Sequence, residues 1–243
     1  MGTPNTAHVA FVIRSLEKSL EYVASQEVNA VTTMPIEKYV MQTGGFNFIG
    51  HTEYLAYKSN CIHPVMLMAS PFSNLRVAPI KIHISLKQSI TSLTKQDIIT
   101  TIKVINNDLS KYLNKNINIA LLGLNPHAGE QGIMGKEEQT IIIPALDILK
   151  KENIKVVGPL PADTAFSRSN IQKFDVIVGM YHDQVLAPFK ALLFEEGVNV
   201  TLGLPFLRTS PDHGTALDIA KKNIASPNSL IAAIKLANLW QNK

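Results

Sequence analysis

Three of the seven histidines, His83, His127 and His182, stand at the end of, or just beyond, stretches of apolar residues that favour β-strands. Ligand sites in sheets with parallel strands lie beyond the carboxyl ends of those strands. Neutral imidazole is the commonest metal ligand among side chains, and catalytic zinc sites leave one position open for a substrate. The spacing therefore suggests a divalent-metal site. The alternative is three ordinary loop histidines, because no His-x-x-x-His or Cys-x-x-Cys pattern connects them.

Two carboxylates accompany these histidines. Asp163 lies in the stretch 158–164, and Asp183 directly follows His182. A carboxylate beside a bound metal can orient a ligand, hold a substrate hydroxyl or take its proton. We therefore predict a catalytic role for both. The alternative for each is the cap of a helix, a position that aspartate favours.

Five further polar residues are spread along the chain and would be ordinary surface side chains if taken singly. If they converge, they would form a pocket for phosphate and carboxylate groups, which arginine, lysine and hydroxyl groups bind well. They are His51, Thr52, Lys190, Asn199 and Arg208.

The stretch 123–138 contains four glycines, which permit tight turns and a close approach of the backbone to a ligand. A helix is predicted at its far end, so free backbone N–H groups there could hold an anion. It is not a Walker A loop, because five residues separate Gly129 from Gly135 and Glu137 stands where Ser or Thr would hold magnesium. No G-x-G-x-x-G pattern follows a predicted strand. The alternative is a long structural turn.

Strand-like apolar runs alternate with segments of helical periodicity over nearly the whole chain. Such alternation predicts an α/β protein in which helices pack on a sheet with parallel strands. The second and third runs are separated by a short turn and are expected to form a neighbouring pair. The predicted strands cover residues 28–33, 65–69, 75–84, 118–123, 154–157 and 174–180.

Local signals refine these elements. Thr94, with Asp97 three residues later, predicts the start of a long helix. Pro79 predicts an edge position or a bulge in its strand, and Pro35 suits the first turn of a helix. Further helices are predicted over residues 136–152 and after Pro227.

The composition narrows the class of protein. The chain has 243 residues, 46% of them apolar and 17% charged, which excludes disorder over most of its length. No stretch approaches about 18 uninterrupted apolar residues, and no secretory signal is recognisable. The net charge of +4 comes from scattered lysines and arginines, which argues against nucleic-acid binding. A single cysteine, Cys61, fits a reducing, cytoplasmic location.

The same motifs closely resemble one family, the 4-hydroxythreonine-4-phosphate dehydrogenases of pyridoxal phosphate biosynthesis (PdxA). The matching stretches run in order over nearly the whole chain, and several are six or more residues long. They are residues 33–38, 50–53, 123–130, 134–138, 158–164, 180–184 and 197–216.

The resemblance implies a role for each candidate residue. The three histidines named first would bind a divalent metal (Zn²⁺, Mg²⁺ or Co²⁺) at the interface of a homodimer, with ligands from both subunits. The five polar residues would bind the substrate, and the two aspartates would lie beside the metal. The cofactor would be NAD or NADP.

The resemblance also implies a fold like that of the isocitrate and isopropylmalate dehydrogenases, with a mostly parallel sheet, helices on both faces and two lobes. One lobe would comprise residues 1–48 with 212–243, and the other residues 49–211. A glycine-rich N-terminal segment of the family has no counterpart in this sequence. These proteins bind the nicotinamide cofactor without the usual glycine fingerprint, in agreement with its absence here.

The implied reaction oxidises 4-phosphooxy-L-threonine to 2-amino-3-oxo-4-(phosphooxy)butanoate, which loses CO2 to give 3-amino-2-oxopropyl phosphate. Two alternatives remain open. The first is a related dehydrogenase that acts on a threonate or erythronate phosphate. The second is a truncated, inactive protein that still binds metal and phosphorylated ligand.

Overall fold

The computed structural model describes residues 2–241 as ten α-helices packed around one eight-stranded sheet. The strands are β1 (Ala30–Thr32), β2 (Val65–Ser70), β3 (Ser73–Lys81), β4 (Ile119–Leu122), β5 (Val156–Leu160), β6 (Val176–Tyr181), β7 (Val198–Leu202) and β8 (Leu207–Pro211). The helices are α1 (Val9–Ala24), α2 (Lys38–Thr43), α3 (His51–Lys58), α4 (Leu86–Thr91), α5 (Lys95–Leu113), α6 (Ile143–Lys151), α7 (Ala162–Ala165), α8 (Arg168–Ile171), α9 (His182–Leu193) and α10 (Asn228–Gln241). None of these helices is both long and apolar enough to cross a membrane.

The strand order in the sheet is β1-β8-β7-β2-β3-β6-β4-β5. Four of the seven neighbouring pairs within residues 2–241 are parallel: β1 with β8, β3 with β6, β6 with β4, and β4 with β5. The other three pairs are antiparallel and involve β2, β3, β7 and β8. The predicted α/β class with a mostly parallel sheet is therefore confirmed, and so is the β2–β3 pair.

Helices cover both faces of the sheet, as β4 shows. Ile119 and Leu121 pack in a cluster with residues of α5, α6 and α10. Ala120 and Leu122 pack in a second cluster with residues of α9. A strand buried on both faces reads as a continuous apolar run, which is why the sequence predicted β4 correctly.

A third apolar cluster joins the first three helices to the β1 end of the sheet. Its buried members include Val9 of α1, Met41 of α2, Leu55 of α3 and Val31 of β1. Three aromatic rings, those of Phe46, Phe48 and Tyr54, contact one another with centroids 5.2–5.4 Å apart. This cluster fixes the position of α3, whose first residues belong to the candidate site.

The helix signals of the sequence were partly correct. Thr94 and Asp97 form a reciprocal capping box at the start of α5, and α10 begins directly after Pro227. The single helix predicted over residues 136–152 is a π-helical turn, Glu138–Ile142, followed by α6. The prediction for Pro35 is wrong, because the next helix begins only at Lys38.

Pro79 does not lie on an edge strand, because β3 is between β2 and β6. However, the pairing of β2 with β3 ends at Met68 and Val77 and contains an irregularity. Beyond that point Pro79 has a partner only in β6, where it is opposite Gly179. The missing N–H of proline is therefore tolerated in the interior of the sheet.

Candidate functional site

Seven of the ten predicted site residues line one cavity of about 440 Å³. It is bordered by the start of α3, by the loop that follows β3, by α9, and by residues of β7 and β8. The seven residues are His51, Thr52, His83, His182, Lys190, Asn199 and Arg208. Side chains that are far apart in sequence thus converge as the pocket hypothesis required.

His83 and His182 face each other in this cavity, with ring centroids 5.9 Å apart. Nδ1 of His182 is 2.7 Å from Oδ1 of Asp183, which leaves Nε2 as the ring nitrogen available to a ligand. Burial, and then the charges of Lys38 and His182, lower the pKa of His83 and favour its neutral form. The two imidazole rings fit two positions of a divalent-metal site.

Arg208 places a buried positive charge beside the histidine pair. Its side chain is 4% exposed. Its Nη2 donates to Oγ1 of Thr33 at 2.7 Å, and its Nη1 donates to Oγ1 of Thr201 at 3.0 Å. Within residues 2–241, Nε has no hydrogen-bond partner. Burial lowers the pKa of Arg208 to about 10, so the group is still charged at neutral pH.

The start of α3 completes an anion-binding surface. Gly50 is the N-cap and supplies no side-chain acceptor, so the first N–H groups of the helix are free to bind a ligand. Burial, followed by the charges of Arg208 and Lys38, lowers the pKa of His51 to about 4. His51 is therefore neutral at pH 7. A buried guanidinium with no ion-pair partner within residues 2–241 and a helix N-terminus without a side-chain cap both favour phosphate or carboxylate.

Sequence reasoning missed three charged residues of the cavity: Lys38, Glu53 and Asp212. Nζ of Lys190 forms an ion pair with Oδ2 of Asp212 at 2.8 Å. Burial lowers the pKa values of Arg208 and His83, and the charge of Glu53 partly opposes this lowering. All three residues belong to stretches already singled out, 33–38, 50–53 and 197–216, but Asp212 follows β8, a strand that the sequence did not predict.

The remaining three predicted residues lie outside the lining of this cavity. Asp183, with His83 and His182, lines a smaller adjoining cavity, and its side chain is 84% exposed. Oδ1 of Asp163 accepts the N–H of Thr164 at 3.0 Å. Neither aspartate is a helix cap, because the N-caps of α7 and α9 are Pro161 and Tyr181.

His127 begins an unusual turn in the glycine-rich stretch. Six consecutive residues, 127–132, have positive φ values between 42° and 95°. Left-handed backbone costs roughly 1–2 kcal/mol for each non-glycine residue. No group of three or more His, Cys, Asp or Glu side chains suited to a metal occurs within residues 2–241. Within one chain, His83 and His182 therefore lie side by side, whereas His127 does not form a three-residue group with them.

The N–H groups at the start of this stretch are occupied by a side chain of the protein itself. Oε1 of Glu138, a residue that is 2% exposed, accepts the N–H groups of Leu124 and Asn125 at 2.8 Å each. Oε2 accepts Nδ2 of Asn125 at 2.9 Å. An internal carboxylate therefore occupies these two N–H groups, which lie at the opposite end of the loop from the helix start where the sequence predicted an anion.

Comparison with known proteins gives a consistent result over nearly the whole chain. A family model described as pyridoxal phosphate biosynthetic protein PdxA matches residues 1–237. A protein of Bradyrhizobium diazoefficiens, named 4-hydroxythreonine-4-phosphate dehydrogenase, is 45% identical over 242 residues, which are 98% of this chain and 70% of that protein. One of the same name from Sulfurihydrogenibium sp. is 46% identical over 225 residues, 92% of this chain and 69% of that protein.

Solved structures agree with this result. The crystal structure of 4-hydroxythreonine-4-phosphate dehydrogenase from Klebsiella pneumoniae superposes with a TM-score of 0.90 at 35% identity and covers 98% of this chain and 72% of that one. A β-decarboxylating dehydrogenase from Thermococcus kodakarensis, 14% identical with a TM-score of 0.50, shares the fold alone; it covers 92% of this chain and 68% of that one.

Proposed function

This chain belongs to the family of the pyridoxal phosphate biosynthetic protein PdxA, and on that premise we propose that it oxidises 4-phosphooxy-L-threonine with NAD⁺ or NADP⁺. The C3 hydroxyl would lose its proton, and a bound nicotinamide cofactor would supply the acceptor for the hydride on C3. The product, 2-amino-3-oxo-4-(phosphooxy)butanoate, then loses CO2 to give 3-amino-2-oxopropyl phosphate.

The observation that carries this proposal is the buried charge of Arg208, which has no ion-pair partner within residues 2–241, together with neutral His51 and the uncapped N-terminus of α3. A substrate phosphate would supply a directly bonded negative charge, with Thr52 and Asn199 as hydrogen-bonding partners. Lys190, which forms an ion pair with Asp212, would bind the same anion or the substrate carboxylate. Binding energy from groups remote from C3 would orient the reacting carbon.

His83 and His182 would hold the divalent metal, which is Zn²⁺, Mg²⁺ or Co²⁺, and His127 of a second copy of the chain would complete the ligand set. When bound, the metal would supply Lewis acidity that lowers the pKa of the substrate hydroxyl. Asp183 would keep His182 in the tautomer that offers Nε2, and Asp183 or Asp163 would receive the hydroxyl proton.

A shared site requires a homodimer, and one feature of the surface supports it. The loop that carries His127 exposes apolar side chains, with Ile133 82% and Met134 47% exposed. Exposed apolar residues next to a functional loop are typical of an interaction surface.

The lone free thiol of Cys61 fits a cytoplasmic location for the enzyme.

The test is formation of NADH or NADPH from 4-phosphooxy-L-threonine, compared with threonate and erythronate phosphates. A higher kcat/KM for the amino acid substrate supports the proposed reaction. Preference for a sugar-acid phosphate would identify the related dehydrogenase instead. Binding of metal and substrate without turnover would contradict the proposed activity of this chain.

A further inference from the structure

The buried carboxylate of Glu138 has no role in the chemistry proposed above. Glu138 is the first residue of the π-helical turn. One of its carboxylate oxygens accepts hydrogen bonds from two successive backbone N–H groups, those of Leu124 and Asn125. Successive N–H groups that converge on one point form an anion-binding nest. In this chain the nest is filled from within, so the loop needs no external phosphate at this point.

The surrounding glycines leave the space that this carboxylate occupies, because a side chain at either position would collide with it. A Cβ atom on Gly129 would lie 2.5 Å from Oε2 of Glu138, and one on Gly123 would lie 3.0 Å from Oε1. The same Cβ on Gly123 would lie 2.7 Å from Cα of Ala128, so the left-handed turn folds back against the start of the loop. Glu138 therefore sits between the two ends of the segment that carries His127.

A second side chain, that of Gln184, links the start of the loop to the junction of β6 and α9, where His182 lies. Nε2 of Gln184 donates to the carbonyl oxygen of Gly123 at 2.7 Å, and its Oε1 accepts the N–H of Met180 at 2.7 Å. Gln184 lies two residues after His182, in the first turn of α9. The loop is thus tied to the β6–α9 junction at one point and wrapped around Glu138 at another.

We propose that Glu138 is a positioning residue: its carboxylate acts as an internal anion that holds the left-handed turn at residues 127–132 and so presents His127. The presentation of His127 as a metal ligand rests on the function proposed above, whereas the filling of the nest does not. An empty nest would leave two part-buried N–H groups unpaired. The unfavourable backbone of the turn would then be supported only by weaker contacts, such as the hydrogen bond from Nε2 of Gln139 to the carbonyl oxygen of Gln131, and the turn would loosen.

Chemical rescue tests this directly. The Glu138→Ala variant lacks the atoms of one acetate ion, so added acetate or formate should refill the nest, whereas neutral acetamide should not. Hydrogen exchange at residues 123–135 should be faster in the variant and should slow again with acetate. The matched control is Glu137→Ala, which removes the hydrogen bond between Glu137 and Nδ2 of Asn125 but leaves the nest intact.

Binding of Co²⁺, followed by its visible absorption, reports on His127 without any turnover. We expect Glu138→Ala to weaken Co²⁺ binding by about tenfold or more and acetate to restore part of it. Exchange unaffected by acetate would overturn the internal-anion role. Exchange rescued without any change in Co²⁺ binding would overturn the positioning of His127. If Glu138→Ala does not fold, Glu138→Gln keeps the shape of the side chain but removes its charge. This variant should show faster exchange at residues 123–135 and weaker Co²⁺ binding, and acetate should restore neither, because the amide still fills the nest. Failure of the wild-type chain to form NAD(P)H would count against the proposed function alone.

Discussion

Single residues carry the electrostatics of the site, and His51 is the one whose charge depends most clearly on pH. Its pKa of about 4 in the folded chain lies below the ordinary value of 6.5. The unfolded chain therefore binds a proton at His51 over a pH range in which the folded chain does not. Stability from this group is complete above pH 6.5 and is lost as the pH falls towards 4.

We predict that the wild-type protein loses roughly 1–3 kcal/mol of unfolding free energy from this source between pH 7 and pH 4. His51→Asn, which cannot titrate, should show a shallower loss over the same range. Urea unfolding at several pH values measures both. Parallel pH profiles of the two proteins would mean that His51 is not held neutral by the fold.

Arg208 supports a second prediction at this scale. Arg208→Lys keeps a positive charge but removes the planar fork that bonds Thr33 and Thr201. We expect binding of 4-phosphooxy-L-threonine to weaken by about 1.5–3 kcal/mol, measured by calorimetry. The control is Arg14→Lys, an exposed position on α1 that should leave binding unchanged. Equal affinity of the Arg208 variant and the wild type would remove Arg208 from the phosphate site.

At the scale of elements, the left-handed turn can be tested by comparing two glycines with positive φ. Gly129 (φ 78°) would place a new Cβ 2.5 Å from Glu138, whereas Gly45 (φ 94°) has nothing within 4 Å. Both alanine variants suffer the same kind of backbone strain, about 1–2 kcal/mol. Gly129→Ala should therefore lose more unfolding free energy than Gly45→Ala by roughly 1–3 kcal/mol, the usual cost of overpacking. Similar losses of unfolding free energy in the two variants would show that the turn accommodates the added methyl group without extra destabilisation.

Elements with a one-sided or fully apolar pattern were predictable, and those with buried polar groups were not. β4 and α5 are examples of the first kind, since their apolar spacing alone identifies them. β7 and β8 are examples of the second, because they bury Thr201, Arg208 and Thr209. These polar residues are paired with one another or with neighbouring elements, which no local pattern reveals.

The residues of the candidate site likewise include some that were predictable from the sequence and some that were not. The spacing of His83 and His182 after strand-like runs indicated their position, because both strands end at the same edge of the sheet. The internal pairing of Glu138 with its loop could not be read from the sequence. A glutamate in a polar stretch is ordinarily solvated, and only the folded chain brings it to the N–H groups of Leu124 and Asn125.

At the scale of the whole molecule, the proposed metal site is complete only when two copies of the chain associate. His83 and His182 belong to one side of the proposed site, and His127 of a second copy belongs to the other. Mixing His83→Ala with His127→Ala protein should restore about a quarter of the wild-type metal sites after subunit exchange, since random pairing gives half heterodimers with one intact site each.

A mixture of His83→Ala with His182→Ala is the control. It should restore nothing, because both changes damage the same half of a site, where the two rings lie 5.9 Å apart. Restoration in the control mixture, or a monomer by light scattering at micromolar concentration, would contradict the shared site.

The strand order also sets the sequence of events during synthesis on the ribosome. Five strands adjacent in the sheet, β2-β3-β6-β4-β5, lie within residues 65–181 and can pair as soon as this part of the nascent chain has emerged. Among the eight strands within residues 2–241, β1 comes first in the chain but pairs only with β8, and Thr32 bonds to Thr209 across 177 positions. Although β1 precedes the other seven strands, it therefore joins the sheet only after β8 has emerged. Until β8 emerges, the apolar surfaces of α1 and β1 remain available to chaperones that bind nascent chains.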